Sequence, residues 1–142
     1  MPQVVAGLDI RPFAAADRAG LLTMLQRCAL YDSEVERSID FALGRDHTAL
    51  LVGTAGAGPI ASVLVGHDGH RGFLYAVAVD PDHRGKGWGR AMVAAAESWL
   101  ISQGIWRAML MVREDNKIVL GFYAAIGWGA VPHVVMQKRL TD

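Results

Sequence analysis

What this chain has little of narrows it first. One cysteine, Cys28, occurs among 142 residues, so no internal disulfide can form. It precedes Ala29 and Leu30 in an apolar stretch with helical spacing, the setting of a small buried hydrophobe rather than of a nucleophile. A surplus of charge of one sign is also missing. Lys+Arg and Asp+Glu each number 14, which argues against nucleic acid or an anionic membrane as a partner held by a broad basic field. Residues 1–10 hold no basic stretch followed by an apolar run, so no secretion signal is expected and a cytoplasmic location is. The chain lacks an unbroken apolar run long enough to span a bilayer. Residues 48–66 carry no charge, yet Gly53, Gly56, Gly58 and Pro59 interrupt them near the middle. Two strands, over 49–52 and 60–65, joined by a glycine-rich turn account for this stretch.

What is present fits a compact protein. The apolar fraction is 52% and the charged fraction 20%, and the length suits one domain over residues 1–142. A short strand over 8–11 leads to Pro12. Leu21, Leu22, Leu25 and Ala29 then recur at helical spacing over 17–30. A second helix is expected over 33–43, with Ser33 as N-cap and Glu36 as its capping-box partner. The two strands above follow. Asp68-Gly69 signals a tight turn into a strand over 72–79, which Asp80-Pro81 ends. A helix over 87–103 stops at Gly104, a strand covers 107–112, a helix over 116–126 stops at Gly127, and a final strand covers 131–139. The order β-α-α-β-β-β-α-β-α-β is mixed α/β (α+β): an antiparallel meander early, a strand–helix–strand crossover late.

The segment with most chemistry runs from Arg84 to Arg90. An apolar strand, Val77-Ala78-Val79, turns at Asp80-Pro81 and enters a helix through Gly85, Gly87 and Gly89. Glycines let backbone approach a ligand, and the first N–H groups of a helix lack internal partners and carry partial positive charge. Together they form an anion site, with Arg84, Lys86 and Arg90 adding cationic charge. A Walker loop is excluded because Gly87, not Ser or Thr, follows Lys86, and Asp80 stands at the leading glycine position. A dinucleotide fingerprint is excluded because its third glycine is misplaced and an antiparallel meander precedes it. What remains is Arg-x-x-Gly-x-Gly after Val-Asp-Pro.

That pattern resembles the acetyl-CoA loop of the GNAT family of N-acetyltransferases, whose motif Arg84, Gly87 and Gly89 match in full. The element order is similar to the family's over nearly the whole chain. The runs 66–72 and 119–123 look like a small single-domain bacterial subgroup of the YpeA type. The resemblance implies the GNAT acyl-CoA N-acyltransferase fold: a mixed, mostly antiparallel sheet with helices on both faces. It implies a pyrophosphate held by Arg84, Gly85, Lys86, Gly87, Trp88, Gly89 and Arg90, with acetyl-CoA as cosubstrate and no metal. It also implies a pantetheine arm between two splayed strands, beside backbone donors around Val77, Ala78 and Val79.

Asn116 and Tyr123 stand seven residues apart, close to two helical turns, and so share one face. Read alone, Asn116 suits a helix N-cap and Tyr123 a packed aromatic beside Phe122. The resemblance adds cofactor binding for both and catalysis for Tyr123, as the acid that protonates the leaving thiolate. The implied activity is acetyl transfer to a primary amine of a small molecule or peptide by direct attack in a ternary complex. The alternatives are a non-catalytic acyl-CoA-binding sensor on the same fold and an acyltransferase using another acyl-CoA. A homodimer is among the states the resemblance allows. Asp32, Glu34, Glu36 and Tyr75 are the candidates for relaying the amine proton, and residues 31–39 and 131–136 for shaping acceptor choice. His67, Asp68, His70 and Arg71 crowd one hairpin tip, where alternating faces favour a polar turn over a metal site.

Overall fold

The computed structural model describes residues 3–142, which fall into two compact units dividing after Met111. Within the first, six strands form one sheet in the order of the chain. They are β1 (Gln3–Val5), β2 (Leu8–Pro12), β3 (Thr48–Thr54), β4 (Pro59–His67), β5 (Gly72–Val79) and β6 (Ala108–Met109). Neighbours pair antiparallel from β1 to β5, and β5 pairs parallel with β6. Three helices belong to this unit: α1 (Arg18–Arg27), α2 (Val35–Ala42) and α3 (Trp88–Ser102). The second unit, residues 112–142, contains α4 (Lys117–Ala125).

Register decides which residues face which helix. Leu50 opposes Leu64, and Ser62 opposes Ala78. Their face packs on α1 and α2 through Leu21, Met24, Leu25 and Ile39. The other face carries Ile10, Ala61, Val63, Val65 and Leu74, and a methyl added at Gly72 on that face would meet Leu100 of α3. In α3 the buried Trp88, Met92, Ala96 and Leu100 recur every four residues, one apolar stripe laid on the sheet. Full burial of a Val, Leu or Met side chain contributes about 1.5–3 kcal/mol, so the two-sided packing of β4 anchors the sheet.

Several boundaries differ from the sequence reading. Residue 33 does not cap α2. Asp32 Oδ1 accepts the Glu34 N–H at 2.8 Å, which closes a local turn, and the helix begins at Val35. The first helix ends at Arg27, and Ala29 leaves it with φ +57°. The strand expected over 107–112 is ordered as such only at Ala108–Met109. The strand expected over 131–139 is not formed. Residues Val131, Val134, Val135 and Met136 are exposed, and the segment has no ladder partner among the described residues. Alternating apolar residues favour an extended chain, but a strand exists only through its neighbour's hydrogen bonds. No helix among the described residues is long and apolar enough to cross a membrane.

Candidate active site

The loop after β5 is tied down at both ends. At its start Asp80, 8% exposed, accepts the Asp82 N–H at 3.1 Å and shapes the 3-10 turn Pro81–His83. Arg27 of α1 donates to the same carboxylate at 2.8 Å and to Asp82 at 2.9 Å, and His83 Nδ1 lies 3.2 Å from it. Burial alone would raise the Asp80 carboxyl. The hydrogen bonds from Arg27, His83 and the Asp82 backbone more than offset this and hold it below the usual carboxylate range. At the far end Trp88 is buried and donates its indole N–H to the Ala6 carbonyl at 3.2 Å, while the His83 ring stacks on it at 5.9 Å. Trp88 thus packs as a core residue. Its indole is committed to that packing, and its backbone N–H lies at the start of α3.

Between these anchors Gly85 (φ +80°) and Gly87 (φ +78°) are left-handed, and a methyl added at either would meet no atom within 4 Å. Glycine is needed there for the backbone, not for space, and the space itself lies open above a helix start. The N–H groups of Trp88, Gly89 and Arg90 form the first turn of α3, where donors lack intrahelical partners. These residues therefore fit a pyrophosphate. The cations differ in placement. Arg84 folds back: its Nε donates to the Val79 carbonyl at 3.1 Å, and its Nη2 lies 3.7 Å from Cys28 Sγ. The carbonyl at the end of β5 captures it. The Lys86 ammonium sits 4.8 Å over the Trp88 ring, and Arg90 is exposed.

β5 supplies the second part. Its pairing with β6 ends at Phe73, so from Leu74 to Val79 that edge has no strand partner among the described residues. The Asp80 N–H points to β4, donating to the Ile60 carbonyl at 2.8 Å. Alternation then turns the N–H groups of Val79 and Val77 to the open edge, whereas that of Ala78 faces β4. Of the three residues expected to line the pantetheine, two present donors to the edge, and Ala78 buries its side chain against α1.

In the second unit, Asn116 caps α4, its Oδ1 accepting the Val119 N–H at 3.2 Å. Tyr123, two turns on, is half-buried between Phe122 (ring centroids 5.0 Å apart) and Trp128 (6.0 Å), edge to face with both. Burial pushes its phenol above the ordinary value, so it stays protonated through the neutral range. The bland readings of both residues, cap and packed aromatic, hold here. Neither conflicts with a role towards a ligand.

Among the relay candidates, Tyr31 donates its hydroxyl to Glu36 at 3.3 Å, Asp32 is engaged in its turn, and Tyr75 is exposed and stacked beside Phe73. At the hairpin tip Asp68 Oδ1 accepts the N–H groups of His70 and Arg71 at 2.8 and 2.7 Å, a polar turn. The sequence reading passed over Arg27 and took Asp80 only as a turn residue. Their partnership joins positions 53 residues apart and leaves no local pattern. It also passed over Ser62, whose only trace was one hydroxyl inside an apolar strand.

Comparison with known proteins agrees with this geometry. The Acetyltransferase (GNAT) family profile matches residues 14–128. An acetyltransferase of Pectobacterium atrosepticum is 35% identical over 137 residues, covering 95% of this chain and 97% of its own length. A solved GCN5-related N-acetyltransferase from Ralstonia eutropha superposes with a TM-score of 0.67 at 25% identity, covering 94% of this chain and 99% of that one. AAC(6')-Iy in complex with the bisubstrate analogue CoA-S-monomethyl-acetylneamine shares the fold, with a TM-score of 0.79 at 18% identity over 94% of this chain and 99% of that one. A mixed sheet flanked by helices, with an open strand edge leading into a glycine loop, defines an acyltransferase fold. The chain belongs to the GNAT family and is an N-acetyltransferase.

Proposed function

We propose that this protein transfers the acetyl group of acetyl-CoA to a primary amine of a small molecule or peptide, by direct attack in a ternary complex. The whole chain, residues 1–142, acts as one catalytic domain; the family profile, over 14–128, runs from the first compact unit into the second. The observation that carries the reading is the left-handed, exposed Gly85 and Gly87 before α3, continuous with the stretch of β5 edge that has no strand partner among the described residues. The helix start and the loop bind the pyrophosphate, with Lys86 and Arg90 as flanking charge. The Val77 and Val79 N–H groups meet the thioester arm. The neutral amine forms a bond to the thioester carbon, and backbone N–H groups stabilise the developing oxyanion. Collapse breaks the C–S bond. Tyr123 gives its proton to the departing thiolate, and the amine proton leaves through water.

The fold neighbour AAC(6')-Iy is an aminoglycoside acetyltransferase solved with CoA, which supports CoA as the donor carrier here. The test is a thiol-release screen of amine libraries with acetyl-CoA, paired with calorimetric titration of CoA. Release of free thiol dependent on one amine class, from a protein that binds CoA, is the expected result. A protein that binds no CoA at millimolar concentration would refute the reading.

A further inference from the structure

β5 contains an irregularity that the motif reading did not foresee. Leu64 of β4 opposes Tyr75, and Ser62 opposes Ala78. Two residues, Ala76 and Val77, therefore face the single Val63: one extra residue has been inserted into β5. The insertion explains why Leu74 packs on the α3 side and Ala78, four residues on, packs on the α1 side. An unbroken strand would keep both on one face. Ala76 itself has φ +52°, a region that L side chains rarely adopt, and it does so inside a strand.

One polar side chain holds this backbone. Ser62, 0% exposed, donates its hydroxyl to the Ala76 carbonyl at 2.7 Å. A carbonyl displaced from the ladder by the bulge would otherwise lie unsatisfied in a packed region, and the serine supplies the missing donor. The adjacent Val77 then directs its N–H to the open edge. Without the inserted residue, the alternation set by Tyr75 would give Val77 the opposite sense.

We propose that Ser62 is a positioning residue for acetyl transfer: its buried hydroxyl locks the Ala76–Val77 bulge and so aims the Val77 N–H at the acetyl carbonyl. The inference rests on the acetyl-CoA reading above. Ser62 touches no reacting atom. It acts through the carbonyl it holds.

The test compares the affinities of acetyl-CoA and CoA by calorimetry, because only the acetylated ligand carries the carbonyl in question. The wild type is expected to favour acetyl-CoA. In Ser62→Ala that preference falls about threefold to tenfold, the range for one hydrogen bond, while CoA affinity stays within about twofold. Adding Ala76→Gly restores the preference, since glycine holds the left-handed conformation without help. Should Ser62→Ala fail to fold, Ser62→Cys keeps the volume with a weaker donor and is expected to lose preference in the same direction. An unchanged preference in a folded Ser62 variant overturns the proposal. So does a parallel loss of both ligands, which marks a merely structural role, or a wild type that binds the two ligands equally. A wild type that binds neither ligand instead refutes the acetyl-CoA reading.

Discussion

At the scale of single residues, Tyr123 carries most weight in the proposed reaction. Its aromatic packing against Phe122 and Trp128 fixes the ring, and burial keeps the phenol in its acid form. A general acid must hold its proton at working pH, and a raised phenol does. Under the proposed mechanism Tyr123→Phe lowers kcat about 10²-fold or more, with acetyl-CoA affinity unchanged. Steady-state rates on an identified amine, set against equilibrium binding of acetyl-CoA, check this; an undiminished kcat removes Tyr123 from the role. The sign of its shift adds a second expectation. Because the neutral form is favoured, no loss of rate below the ordinary phenol range should trace to Tyr123 ionisation. The residue was legible in sequence as a position, seven after Asn116 on one helical face. Its edge-to-face neighbours were not, because Trp128 lies beyond the helix stop at Gly127 and returns through the backbone bond from its N–H to the Tyr123 carbonyl.

At the scale of elements, the proposed reaction uses the start of α3 and the edge of β5, two surfaces made of backbone. Backbone sites are altered through conformation rather than by removing a side chain. Gly87→Glu places an L side chain at φ +78° and a negative charge beside the anion site. CoA binding in calorimetry should then be abolished while far-UV dichroism is retained; tight CoA binding by that variant would contradict the loop assignment. The glycines announce themselves in sequence because few other residues adopt such conformations. The bulge at Ala76 did not, since alanine gives no warning of a left-handed residue and the parity change shows only in the register with β4. Arg84 was legible as a cation next to the loop, but its direction was not. The Val79 carbonyl and Cys28, the latter from another part of the chain, decide where its guanidinium rests.

At the scale of the whole molecule, the buried Asp17 and Asp80 are among the carboxylates that link stability to pH. Asp17 is buried and accepts from Arg11 Nη1 and Nη2, at 2.6 and 2.8 Å, and from the Ala14 N–H at 2.8 Å. The bonds from Arg11 hold its carboxyl below the usual range against the opposing effect of burial. Asp80 is lowered too, its bonds outweighing burial. For a group depressed in the folded state, the contribution is fully present above the unfolded value, near ~3.9, and is lost as pH falls through the folded one. The urea midpoint should therefore stay level from about pH 7 to pH 5 and fall below about pH 4, and Asp17→Asn should flatten that fall. A midpoint that declines as steeply in Asp17→Asn as in the wild type would show that other groups carry the acid transition.

Local chemistry determined what the sequence alone could reveal. Periodic apolar residues marked α1, Gly104 marked the end of α3, turn residues marked the ends of β5, and Gly85, Gly87 and Gly89 marked a glycine loop at a helix start. Each signal lies within a few residues of its effect. Tertiary structure decided the rest. It set the Arg27–Asp80 tie across 53 residues, the burial of Trp88, the Ser62 hydroxyl on the Ala76 carbonyl, and the absence of a ladder for residues 131–139 among those described. The physical reason is common to all four. A hydrogen bond or a buried face needs a partner, and the partner's place is a property of the fold rather than of the neighbouring residues.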